Sequence, residues 1–135
     1  MMRRRLLPCL AASLLAAAAP GLQAREALPP PPVMAAQGTV QTAFAPWDDI
    51  EALIVGQLHS AQRQILMQAY LLTSRPITDE LVAARKRGID VRVLMDAGQL
   101  DKNSEDRLRQ LRAAGIPVWL ETDYRNAHNK VIIID

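Results

Sequence analysis

Gly88-Ile89-Asp90-Val91-Arg92-Val93 and Gly115-Ile116-Pro117-Val118-Trp119-Leu120 share one plan: a glycine, an isoleucine, then a run that suits a strand. A helical pattern precedes each. Before Gly88, Thr78 can cap a helix with Asp79 and Glu80 in its first turn and Arg85, Lys86 and Arg87 in its last, the charge order that a helix dipole favours. Before Gly115, Ser104 can cap a helix with Glu105 and Asp106 in its first turn and Leu108 and Leu111 as apolar contacts. A glycine supplies the left-handed residue that ends each helix. Helix, glycine stop and strand, repeated, predict an α/β layered fold with a largely parallel or mixed sheet flanked by helices.

The pattern extends in both directions. Gln64 to Leu72 is apolar enough for a buried strand. Asp48 to about Ala61 reads as a helix with one apolar face, Ile50, Leu53, Ile54, Leu58 and Ala61. Thr39 to Phe44 reads as a short strand. Asn129 to Ile134 is a β-branched apolar run, which predicts a central strand.

The N-terminus belongs to a different regime. Arg3, Arg4 and Arg5 precede an apolar run from Leu6 to Ala19, and Leu22-Gln23-Ala24 offers a small-residue cleavage point. This is the layout of a secretory signal peptide over residues 1–24, with an uncleaved anchor as the alternative. The run is shorter than the roughly 20 residues of an ordinary membrane span, so the mature chain is expected to be exported, to the periplasm or medium, with no stable span. Pro29-Pro30-Pro31-Pro32 then makes residues 25–38 an extended tether. The folded domain is expected over residues 39–135. Removing residues 1–24 takes three of the 16 basic residues and none of the 14 acidic ones, leaving a formal charge of −1. The basicity belongs to the targeting segment and is no argument for nucleic-acid binding. Cys9 leaves as well, so no disulfide or thiol chemistry is expected. With two histidines, no cysteine and no ligand cluster, no metal centre and no cofactor is expected.

Chemistry concentrates in His128-Asn129-Lys130-Val131-Ile132-Ile133-Ile134-Asp135. Side chains alternate along a strand, so His128 and Lys130 face one way while Val131 and Ile133 face the other, into a core layer. An ammonium can hold phosphate oxygens, and an imidazole can attack phosphorus or move a proton near neutral pH. On those two residues alone, a solvated strand end is the simpler reading. Asp135 is an odd number of residues from His128 and cannot share its face on a regular strand, which points to a supporting role. Elsewhere, helix capping accounts for Asp48-Asp49 ahead of paired carboxylates, a helix C-terminus for Arg85-Lys86-Arg87 ahead of a nucleic-acid patch, a solvated loop acid for Asp96 ahead of a place on the pocket rim, and a core position for Tyr70 ahead of a site position. His59 has no Lys two residues on and no Asp seven on, so it reads as an ordinary helix residue.

The His-x-Lys-x4-Asp spacing at His128, Lys130 and Asp135 resembles the signature of the phospholipase D superfamily. The resemblance extends to Ala69-Tyr70, to Ala83 through Val93 and to Ala114-Gly115-Ile116-Pro117-Val118, covering roughly residues 40–135. The order of elements is similar to the short, exported, single-motif bacterial endonucleases of that superfamily. The resemblance implies a phosphodiesterase acting without metal on a phospholipid headgroup or a nucleic acid. One histidine forms a phosphohistidine, a second protonates the leaving group and activates water, and lysines hold the phosphate. Matched to the motif, His128 is nucleophile or acid, Lys130 the phosphate ligand and Asp135 a supporting residue.

One motif supplies one such histidine, so a homodimer is expected to provide the second. The family pattern continues past the aspartate with a Gly-Ser and an Asn-like residue, and this sequence does not. It therefore reads as a fragment of a longer reading frame or a degenerate remnant. The competing function is a catalytically silent binding domain that lacks the second half of the phosphate site.

Overall fold

The computed structural model describes Ala35 and residues 37–135. The expected targeting segment, residues 1–24, lies outside the described residues, and so does the tether, residues 25–38, apart from Ala35, Gln37 and Gly38. Thr39–Asp135 forms one compact unit.

Alternation builds the sheet. In β2 (Asp90–Asp96), Val91, Val93 and Met95 are buried while Arg92 between them is exposed. In β1 (Gln64–Ala69), Ile65 and Ala69 are buried. These side chains share one core with Leu58 of α1 (Ile50–Ser60), Leu81 and Ala84 of α2 (Arg75–Lys86), and Leu108 and Leu111 of α3 (Lys102–Ala113). All three helices therefore lie on one face of the sheet. Truncating a fully buried Leu81 or Leu111 to Ala is expected to cost about 2–5 kcal/mol.

The strand order is β3-β2-β1-β4, with β3 at Val118–Glu121 and β4 at Lys130–Ile134. β1 and β2 are parallel, as are β2 and β3. These two crossovers carry α2 and α3, as the repeated glycine-stop pattern predicts. Each stop closes the same way. Gly88, at φ +94, follows α2, and the Ile89 N–H reaches back to the Ala84 carbonyl; Gly115, at φ +72, follows α3, and Ile116 reaches back to Leu111. A residue with a Cβ is strained at such φ values.

β4 is antiparallel to β1 and pairs with no other strand among the described residues. The expected central strand is thus an edge strand of this sheet. Its β-branched composition suits burial, but only Ile132 and Ile134 turn toward the helix side. Val131 and Ile133, expected in a core layer, are 48% and 54% exposed on the sheet's other face. That face carries no helix among the described residues, and Leu66, Leu94, Trp119, Val131 and Ile133 line a shallow apolar groove along it.

Helix starts differ from expectation by a residue or a turn. Asp49 caps α1 by accepting the Ala52 N–H, while Asp48 accepts from Phe44. α2 is capped by Ser74 rather than Thr78. Pro76 lacks an N–H and fits the first turn of a helix, so the helix extends upstream, and Thr78 becomes a buried residue whose hydroxyl donates to the Ser74 carbonyl. Asp101 caps α3 by accepting from Ser104, itself buried inside the first turn. In all three helices more than one Ser, Thr or Asp competes to cap; in α2 and α3 the residue that does not cap, Thr78 or Ser104, is buried instead. Thr39 to Phe44 forms no strand: β1 already has a neighbour on each side, and Val40 and Phe44 lie exposed.

Candidate active site

The parallel strands β1, β2 and β3 end on one side of the sheet, the usual ligand-binding edge of such sheets. β4 runs the opposite way, so its first residues arrive where β1 and β2 finish. Lys130 pairs with Ala69, and the Tyr70 N–H donates to the Asn129 carbonyl at 2.8 Å. The segment before β4 is tied down from β2. Asp96, 2% exposed, accepts the Gly98 N–H through Oδ1 at 2.8 Å and the Ala127 N–H through Oδ2 at 2.5 Å. A carboxylate satisfied by two backbone donors tolerates burial far better than an unpaired one.

His128 and Lys130 meet as the strand alternation requires. The Lys130 Nζ lies 3.3 Å from His128 Nδ1 and 3.2 Å from Nε2, so either ring nitrogen can accept from the ammonium, according to tautomer. Both residues are exposed. The Tyr70 ring completes the group. Its centroid is 4.2 Å from that of His128, with the rings tilted by 58°, and 4.8 Å from the Lys130 Nζ. Beside His128 opens a cleft of about 380 Å³ lined by Gln68, Glu121, Tyr124, Asn126, Ala127 and Asn129. An accessible imidazole with an adjacent ammonium can receive a phosphate and act on it as nucleophile or proton carrier.

Asp135 sits at the far end of β4, about 20 Å from His128 along an extended chain. Its carboxylate accepts N–H groups from Gln62, Arg63 and Gln64 at 2.9, 2.7 and 2.9 Å. Arg63 also donates to its carbonyl. Hydrogen bonds from the Gln64, Gln62 and Arg63 backbones hold its pKa below the ordinary carboxylate value. The third motif residue therefore binds the turn between α1 and β1, away from the cleft.

His59 lies on α1 beside Glu80 at 3.3 Å, away from this group, and Arg87 at the end of α2 pairs with Glu80 and reaches the Leu58 carbonyl. Asp96, expected in solvent, is instead the buried anchor of the residue before His128. Its signal was the Asp96-Ala97-Gly98 sequence, since an Asp commonly accepts the N–H two residues on. Tyr70, expected in the core, is half-buried against His128. Its place at the end of an apolar strand was the available cue. Nothing in the sequence brings Glu121 and Tyr124 to the cleft. Among the described residues, no group of three or more His, Cys, Asp or Glu is placed to hold a metal ion, and no helix is long and apolar enough to cross a membrane.

A mixed, helix-backed sheet with a His-x-Lys pair at the carboxyl edge of its parallel strands defines a phospholipase D-like domain. A family model described as cardiolipin synthase, PLD-like domain, matches residues 54–135, and the chain belongs to the phospholipase D superfamily. It is 40% identical over 99 residues to a phospholipase D of Rickettsia prowazekii, covering 73% of this chain and 48% of that one. It is 31% identical over 84 residues to a mitochondrial cardiolipin hydrolase of Drosophila melanogaster, covering 62% of this chain and 33% of that one. Among solved structures, Nuc from Salmonella typhimurium, a phospholipase D family member, superposes with a TM-score of 0.64 at 34% identity, covering 67% of this chain and 60% of that one. The chain spans about half the length of the curated Rickettsia relatives it matches.

Proposed function

We propose that the chain carries one catalytic motif of an exported, phospholipase D-type phosphodiesterase that acts as a homodimer. The observation that carries this reading is the accessible His128–Lys130 pair, 3.2–3.3 Å apart at the carboxyl edge of the parallel strands.

In the first step a nitrogen of His128 attacks the phosphorus. A P–N bond forms and the P–O bond to the leaving alcohol breaks, while His128 of a second copy gives that alcohol its proton. Water then attacks the phosphohistidine, losing a proton to the second imidazole as the P–N bond breaks. Lys130 of each copy holds the non-bridging oxygens, whose charge builds in the transition state. Twofold symmetry supports the division of labour, because one sequence then supplies both nucleophile and acid. Asp135 takes no part in the chemistry and fixes the far end of the strand.

The test is a parallel assay on phosphatidylcholine and plasmid DNA in excess EDTA, with mass in solution measured on the same sample. Turnover of either substrate by a dimer is expected to survive chelation, since the nucleophile is a side chain. Activity that vanishes with EDTA and returns with zinc or magnesium, or a strictly monomeric active protein, overturns the reading. N-terminal sequencing of exported protein should begin near Arg25.

A further inference from the structure

We propose that Tyr70 is a positioning residue for the His128–Lys130 pair, holding the imidazole and the ammonium in register for phosphate. This deepens the phosphodiesterase reading and rests on it for the kinetic part of the test.

His128 precedes β4 and is exposed, so neither ladder bonds nor a packed core fix its ring. Among the described residues its side chain makes one polar contact, with the Lys130 Nζ. Lys130 is itself exposed and long, and such a pair holds its geometry poorly without support. Tyr70 supplies that support from a fixed position. Its N–H is bonded to the Asn129 carbonyl, between the two motif residues, and Ala69 before it is paired with Lys130. The half-buried ring then meets both partners at once, the imidazole at 4.2 Å between centroids and the ammonium at 4.8 Å from the ring centre. The first contact restricts rotation of the His128 ring. The second places the lysine's charge over an aromatic face within the range of a cation–π attraction. The phenol oxygen makes no hydrogen bond among the described residues, so the work falls to the ring.

The expected result is specific to a ring. Tyr70→Leu should lower kcat by about 5- to 70-fold, the combined worth of one aromatic pair and one exposed cation–π contact. KM and melting temperature should stay close to those of the unmodified protein. Tyr70→Phe should restore kcat to within about 2-fold, because it keeps both contacts. A Phe variant as impaired as the Leu variant, or a Leu variant with full kcat, overturns the proposal. A second measurement needs neither turnover nor a variant. In the NMR spectrum of the full-length chain, Tyr70 ring protons should show cross-relaxation to the His128 ring protons, and the His128 χ1 couplings should report one rotamer. Averaged couplings without that cross-relaxation overturn the positioning role even in an active enzyme. An ordered pair in a chain that cleaves neither substrate leaves positioning intact and removes the catalytic reading instead.

Discussion

The two ends of β4 carry the same motif and are built on opposite principles. At the start, His128 and Lys130 are exposed, and the one polar partner of His128's ring among the described residues is Lys130. At the finish, the Asp135 carboxylate is filled by three backbone N–H groups and carries a depressed pKa. A group meant to react must keep free lone pairs and room for a ligand. A group meant to hold a turn spends its acceptors on the backbone. One short strand thus couples a poised end to a clamped end, and the motif's spacing records the length of the strand between them.

The sharpest way to break this comparison is His128→Ala. It should remove nearly all turnover while leaving the melting temperature unchanged, because the ring contributes little to the core; turnover assay and thermal denaturation of one preparation check both halves. Lys130→Ala should follow with a roughly 10²- to 10³-fold loss of kcat, by analogy with deleting one oxyanion donor, again at constant stability. A matching loss of stability in either variant would show that the poised end is also structural.

Asp96→Asn sharpens the picture from beneath. The amide keeps one acceptor where two N–H groups need one, so the fold should lose roughly 1–3 kcal/mol in urea denaturation. The site should loosen with it, because the Ala127 backbone is tied through that carboxylate.

The smallest effect on catalysis belongs to Asp135→Asn, which should cost stability at neutral pH and little kcat. Its sign with pH is fixed. A carboxylate whose folded pKa is depressed contributes stability above its unfolded value and loses it as pH falls through the folded value. The gap in melting temperature between the unmodified chain and Asp135→Asn should therefore close as pH drops below 3.8, the group's ordinary value. A gap that persists at low pH would place the effect outside ionisation.

Much of this was legible in advance because it repeats with a physical period. Glycine stops at Gly88 and Gly115 fixed where helices end, and alternation at Val91, Val93 and Met95 fixed which side of β2 packs. The same alternation put His128 beside Lys130 and Asp135 elsewhere. What stayed hidden depends on partners distant in sequence. Apolar composition marks Val131 and Ile133 for burial, but whether anything covers their face is a tertiary fact. The choice between Ser74 and Thr78 as cap turns on which of them the core absorbs. Asp96 looks like any acid after a strand until the chain returns at Ala127.

The clasp of Asp135 on residues 62–64 joins positions up to 73 apart, whereas the parallel pairings of β1, β2 and β3 close within single helix crossovers. Contacts of such separation require a long loop to close before they repay its entropy, and they slow folding. During synthesis, β1, β2 and β3 can assemble with α2 and α3 while one edge of β1 still waits for β4. An unpaired, flat, apolar edge is where a second nascent chain can add a strand of its own. Assembly of the His128–Lys130 pair and the end of this vulnerable interval thus coincide, for the strand that delivers both residues is also the one that seals β1.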